Sequence, residues 1–255
     1  MVSSPTAPSR PFPALRAVLF DADHTLLDTA RAEQAALRQA LRPLGIPCPA
    51  TVVLTYRRIN LGLWEAYRQG KIDQARLAIE RFRLLLDELG RDPAPAGRLA
   101  RSYLDAFSRR GDLYPACRQT LRVLGQRYRL GVVTNGIDRV QRRRLRAAAL
   151  DRAFEVVVTS EASGFVKPDP RIMAVALREL GVRAAQALYV GDDDSTDGMA
   201  ARRAGMAFCL MQHGGAPSQA HQTGRATSLR ELGESLLQDP GGSAYRAVAA
   251  RRPVG

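Results

Sequence analysis

Five short, largely apolar runs punctuate the chain, at 17–20 (AVLF), 130–133 (LGVV), 155–158 (EVVV), 187–190 (ALYV) and 206–210 (MAFCL). Each breaks off abruptly into a polar segment. Pieces this short fall below helix length, and bounded apolar runs without strict alternation read as strands buried on both faces. Helix-length segments near 137–149, 170–180 and 196–204 separate the later runs. The resulting β-α-β-α-β order predicts an α/β fold on a parallel, doubly wound sheet.

No convincing strand lies between Asp28 and about Arg110, where helical periodicity takes over. In 73–89, Ala75, Ala78, Ile79, Phe82, Leu85, Leu86 and Leu89 form one apolar stripe, with Arg76, Glu80, Arg83 and Asp87 opposite. Further helices are expected near 29–43, 50–68 and 94–109. A helical insert therefore separates the first strand from the rest of the sheet. The proline-rich residues 1–13 and the segment from Gln238 are expected to be flexible ends.

The net charge of +13 would fit a nucleic-acid binder, but Lys71 and Lys167 are the only lysines and the arginines are spread along the whole chain. The densest run, Arg142, Arg143, Arg144 and Arg146, falls in a predicted helix and reads as a solvated face, so no specific nucleic acid is expected as partner. Cys48, Cys117 and Cys209 are far apart and odd in number, which fits neither a disulfide framework nor a zinc site and matches a reducing cytoplasm. No run has the length of a membrane span, and the first thirteen residues lack the apolar region of an export signal.

In a doubly wound sheet, ligands bind beyond the carboxyl ends of the strands, so the residues that follow each run should converge. They are Asp21 and Asp23 after the first run, Thr134, Asn135 and Gly136 after the second, Lys167 in the loop after the third, and Asp192, Asp193, Asp194 and Asp197 after the fourth. Carboxylates so crowded repel one another unless something compensates them. A donor set of oxygens alone, without paired histidine or nearby cysteine, points to a hard divalent cation, with Mg²⁺ the expected one.

These residues resemble the haloacid dehalogenase-like superfamily of phosphohydrolases, and the match runs from about residue 15 to 237. Four motifs stand in order: D-x-D-x-T (Asp21, Asp23, Thr25), a strand ending in Thr134, the separate Lys167, and G-D-x-x-x-x-D (Asp192, Asp197). The resemblance implies a Rossmann-like core from residues 14–28 and 111–237, with an all-helical cap at 29–110. It implies Asp21 as the nucleophile that becomes an aspartyl phosphate, and Asp23 as the acid and base, turned away from the metal and the more readily protonated of the pair. Thr134, the backbone around Asn135, and Lys167 would hold the phosphoryl group. The metal would be held by the Asp21 side chain, the Asp23 carbonyl and Asp192, with Asp197 acting through water; whether Asp192 or Asp193 is the direct ligand stays open. His24 reads as a loop residue.

Residues 56–72 (YRRINLGLWEAYRQGKI) resemble the cap of pyrimidine 5'-nucleotidases that also accept non-standard pyrimidine monophosphates, through Tyr56, Ile59, Asn60, Leu63, Trp64, Tyr67, Gly70 and Ile72, with Arg81 and Phe82 beyond. The expected partner is thus a small phosphorylated metabolite, a nucleoside monophosphate, acted on by a monomer or homodimer. Asn60 is placed either against a base edge or at a turn. Trp64 and Tyr67 are expected to pack within the cap core, with Trp64 as the alternative base contact. Competing activities are a general sugar-phosphate phosphatase, a haloacid dehalogenase, which needs neither general acid nor metal, and a phosphonoacetaldehyde hydrolase, for which Lys71 is the lone Schiff-base candidate.

Overall fold

A computed structural model describes residues 14–215, 224–241 and 245. Strands β1 (Ala17–Phe20), β2 (Arg129–Thr134), β3 (Val156–Thr159), β4 (Ala187–Gly191), β5 (Ala207–Met211) and β6 (Arg225–Ala226) form one sheet in the order β3-β2-β1-β4-β5-β6, with every adjacent pair parallel. The five expected strands are all present, and β6 is added at the edge. Chain direction across the sheet reverses beside β1, which opens a crevice at the carboxyl ends of β1 and β4.

The apolar runs explain the layers. Along β1, Val18 and Phe20 enter a cluster with helices α5 (Cys117–Leu124), α6 (Asp138–Ala147) and α10 (Leu229–Gln238). Ala17 and Leu19 enter a second cluster on the opposite face with α8 (Arg171–Glu179) and α9 (Met199–Arg203). Both faces are covered, so β1 shows no polar alternation. At Gly131 of β2 a Cβ would stand 2.5 Å from Leu19 and 2.6 Å from Val156, so the close strand packing needs glycine there.

Helices α1 (Thr29–Leu41), α2 (Ala50–Arg68), α3 (Gln74–Glu88) and α4 (Ala96–Ser108) hold a third cluster of their own, around Leu37, Tyr56, Phe82, Leu85 and Tyr103. Asp28 and Asp73 accept backbone N–H groups at the starts of α1 and α3, which fixes where those helices begin. The stripe expected on α3 is rotated. Ile79 is 47% exposed, whereas Leu77, Ala78, Arg81 and Phe82 are buried, because the flank carrying Arg81 turns inward to hydrogen-bond partners on α2.

Among the described residues no helix is long and apolar enough to cross a membrane. Gln238 closes α10, and Tyr245 is buried with its hydroxyl donating to Ser235 at 2.8 Å; of the end expected to be flexible, 242–244 and 246–255 lie outside the described residues. Residues 1–13 lie outside the described residues.

Candidate active site

Asp21 follows β1 directly, and its N–H donates to Val190 of β4 at 2.8 Å, which sets the side chain in the crevice between the two strands. Lys167 reaches the same point from the loop after β3 and α7 (Ser160–Ser163). Its buried ammonium lies 2.6 Å from Asp21 Oδ1, 2.7 Å from Asp197 Oδ1, 3.0 Å from Tyr189 Oη and 3.3 Å from the Val133 carbonyl. Asn135 holds that loop by its backbone: its Oδ1 accepts the Lys167 N–H at 2.9 Å and its Nδ2 donates to the Lys167 carbonyl at 3.2 Å.

Asp197 sits in a π-helical turn, Asp194–Gly198, that follows β4. A Cβ at Gly191 would collide with the Asp197 carboxylate, so the glycine of the fourth motif makes room for the acid six residues on. Asp192 faces the same crevice. Asp193 instead starts the turn, accepting Ser195 N–H at 2.8 Å and Ser195 Oγ at 2.6 Å, and these bonds outweigh burial to lower its pKa. Of the two neighbours, then, Asp192 joins the cluster and Asp193 is spent on the turn.

Carboxylate oxygens of Asp21, Asp192 and Asp197 lie within 4.8 Å of one another. Asp197, expected to act through water, contributes an oxygen to this group. Burial drives the Asp21 carboxyl well above the usual carboxylate range; Lys167 pulls it back, while Asp197, Asp192 and Asp23 push it further up. Asp192 is pushed up to about 7, first by burial and then by Asp197. Burial alone would lower Lys167, but Asp197 and Asp21 outweigh it and hold the ammonium well above its ordinary value. One ammonium among three carboxylates leaves negative charge uncompensated, and the donors are all oxygen, so the residues fit a divalent cation such as Mg²⁺.

That imbalance has a measurable sign. Asp192 titrates near 3.8 when unfolded and about 7 when folded, so across this window the folded chain holds more protons than the unfolded one. Stability of the metal-free protein should therefore fall as pH rises from about 4 to 7. Thermal melts in chelator are expected to show a midpoint declining over that range, with the decline reduced in Asp192→Asn and Mg²⁺ stabilising more at the upper end. A slope identical in wild type and Asp192→Asn would contradict this.

Asp23 is held by more side chains than the sequence suggested. Its Oδ1 accepts from Thr29 Oγ1 at 2.5 Å and is ion-paired with Arg144 Nη1, and its Oδ2 accepts from Gln141 Nε2 at 2.5 Å. Burial raises its pKa, but Arg144 and the Thr29 hydrogen bond outweigh that and hold it at about 2. Without a cation to hold Asp21 anionic, Asp23 is therefore the less readily protonated of the pair. Arg144 likewise departs from the solvated face expected for its arginine run: it is 0% exposed, with its guanidinium 4.1 Å from the Phe107 ring centroid, while Arg142 and Arg143 stay partly exposed. The reason is helical phase, since Val140, Gln141, Arg144 and Leu145 share the buried side of α6.

Above these groups lies a cavity of about 440 Å³, lined on the sheet side by Asp21, Asp23, Thr134 and Lys167 and on the helical side by Glu33, Arg57, Asn60, Leu61, Trp64 and Arg81. Asn60 is neither free nor at a turn: within α2 its Nδ2 donates to Glu33 at 3.0 Å and its Oδ1 accepts from Arg81 at 3.3 Å. Trp64 does not join the α1–α4 cluster; it lines the cavity and meets Tyr67 edge-on at 5.6 Å. Tyr67 Oη and Gln74 Nε2 each donate to Ser160 Oγ at 3.2 Å, and so tie α2 and the start of α3 to α7, which follows β3. His24 lines the same cavity with φ of +59°, a left-handed conformation that favours glycine.

The family model for haloacid dehalogenase-like hydrolases matches residues 18–211. The chain belongs to that family. Among its relatives, YfnB of Bacillus subtilis, described as a HAD-hydrolase, is 32% identical over 197 residues, 77% of this chain and 83% of that one. The glyceraldehyde 3-phosphate phosphatase of Methanopyrus kandleri is 32% identical over 78% of this chain and 85% of its own. The pyrimidine 5'-nucleotidase YjjG of Escherichia coli is 28% identical over 86% and 96%. The solved structure of magnesium-bound YfnB superposes with a TM-score of 0.80 at 29% identity, covering 88% of this chain and 100% of that one.

For this haloacid dehalogenase-like hydrolase, the motif residues Asp21, Thr134, Lys167, Asp192 and Asp197 meet at one end of the sheet. Sequence reading missed Arg144, Gln141 and Glu33. A helical wheel of 138–147 anchored on Val140 and Leu145 puts Gln141 and Arg144 on the apolar side and would have singled them out.

Proposed function

We propose that this hydrolase is a Mg²⁺-dependent phosphomonoesterase that works through an aspartyl phosphate on Asp21, with pyrimidine nucleoside 5'-monophosphates as its preferred substrates. The observation that carries the reading is the meeting of Asp21, Lys167 and the Asp192–Asp197 pair beneath a cavity whose other wall comes from separate helices. In this reading α1–α4 act as the cap. Likeness to YjjG over nearly the whole of that nucleotidase supports the pyrimidine preference.

A cation held by the Asp21 side chain, the Asp23 carbonyl and Asp192, with Asp197 beside it, would supply positive charge to the phosphoryl oxygens. The chain's residues do the rest. An Asp21 carboxylate oxygen attacks phosphorus, the ester P–O bond breaks, and the leaving oxygen takes a proton through Asp23, whose ionised carboxylate must first draw it from solvent. Water then attacks the phosphorus of the aspartyl phosphate, gives its proton to Asp23, and releases phosphate with Asp21 restored. Lys167 keeps its charge beside the reacting group throughout, and Thr134 lines the phosphoryl side of the cavity. Asp23, held ionised by Arg144, stands in the form required by the second half of this cycle.

A phosphate-release screen over nucleotides and sugar phosphates with Mg²⁺ tests the assignment. Pyrimidine monophosphates are expected to exceed purine and sugar phosphates by about tenfold or more in kcat/KM, a margin at the low end of what pocket discrimination supplies. The Methanopyrus relative favours a second reading, a sugar-phosphate phosphatase, and highest rates on triose phosphates would select it. Halide release from 2-haloacids without phosphate release would overturn both.

A further inference from the structure

Arg144 is a charged side chain with no solvent access, and its Nε has no hydrogen-bond partner. Burying a guanidinium costs stability, and an orphaned N–H adds to that cost. Packing alone is a poor account of such a residue, because a hydrophobic side chain of similar length would fill the space without either penalty. Its other contacts show what the charge does instead. Nη1 pairs with Asp23 Oδ1 and donates to Gln141 Oε1 at 3.3 Å, and Nη2 donates to Thr29 Oγ1 at 3.0 Å. Thr29 and Gln141 are themselves the other two donors to Asp23. One guanidinium thus fixes the Asp23 carboxylate directly through Oδ1 and steadies the groups that hold Oδ1 and Oδ2.

The clasp spans three elements. Arg144 and Gln141 come from α6 on the sheet side, Thr29 opens α1, and Phe107 of α4 lies over the guanidinium at 4.1 Å. A carboxylate tethered through both oxygens cannot rotate freely about its χ torsions. Its orientation toward the neighbouring Asp21 is set by a residue that lines no part of the cavity.

We propose that Arg144 is a positioning residue, holding Asp23 oriented to accept the proton of the water that hydrolyses the phosphorylated Asp21, with Gln141 as its auxiliary. The proposal rests on the aspartyl-phosphate reading above. Misplacing a proton acceptor by about 1 Å costs roughly 100-fold in rate while leaving ground-state binding intact. The first half-reaction is less affected when the leaving group departs without a proton, as nitrophenolate does.

The test is stopped-flow hydrolysis of p-nitrophenyl phosphate with Mg²⁺ by wild type, Arg144→Met, Arg144→Lys and Gln141→Leu, alongside thermal melts. Arg144→Met is expected to melt below the wild-type midpoint, because Asp23 loses its counter-charge, yet to stay folded at the assay temperature, to lose about 100-fold in kcat with KM within about threefold, and to give a burst approaching one equivalent of nitrophenolate per site before slow turnover. Arg144→Lys is expected to recover part of kcat. Gln141→Leu should shift the same way by a smaller factor, and it decides the matter if both Arg144 variants fail to fold. Wild-type kcat in folded Arg144→Met overturns the proposal, as does loss of activity that tracks loss of the folded state or that appears without a burst. If wild type itself yields no acid-trappable phosphoenzyme, the aspartyl-phosphate reading fails instead.

Discussion

Asp21→Asn is expected to lower turnover by about 10,000-fold or more while the protein stays folded, the scale on which removal of a nucleophile acts. The amide keeps the shape and one oxygen that can accept from Lys167 but cannot form an acyl phosphate. Folding should survive for a specific reason. Asp21 is buried among like charges that drive its pKa up, so a neutral isostere relieves repulsion, and Lys167 retains Asp197 as its anionic partner. Melting temperature and phosphate release measured on one preparation check both halves. Retained turnover would remove the nucleophile from the account, and a collapsed fold would show that the Lys167–Asp21 pair is structural first.

Lys167→Met should be the most destabilising single change at the site. The ammonium has four oxygens within 3.3 Å, and its loss leaves Asp21 and Asp197 buried without a counter-charge. Breaking a buried pair from one side costs about 3–5 kcal/mol. For a chain of this size that corresponds to a fall of roughly 6–20 °C in melting midpoint. The fall should be larger near pH 8 than near pH 5, because protonation of the raised carboxylates relieves the imbalance at the lower value. Turnover should drop by about 100-fold or more through loss of charge stabilisation at the phosphoryl group. A variant with unchanged midpoint at both pH values would show that the lysine balances nothing in the fold.

Much of the fold was written locally. Each strand was legible as a short run of residues too apolar to face water, and each break marked a carboxyl end where ligands gather. Asp21, Thr134 and Asp192 followed from that rule, and Lys167 from the loop between. The helical stripes of the insert were legible too, but a stripe states that a face is covered without naming its cover. Trp64 fitted a packing stripe and turned out to line the cavity, and Ile79 fitted one and turned out exposed.

The sequence by itself determined the α/β class, the strand ends and the residue types that meet there, because those depend on the period of burial along a few neighbouring residues. Only the tertiary structure decided which side chains hold Asp23. That depends on a guanidinium 121 residues from Asp23, brought into contact by the packing of α6 against α4 and α1. Coulombic and hydrogen-bond energies act over a few ångströms of space, and separation along the chain carries no record of that distance.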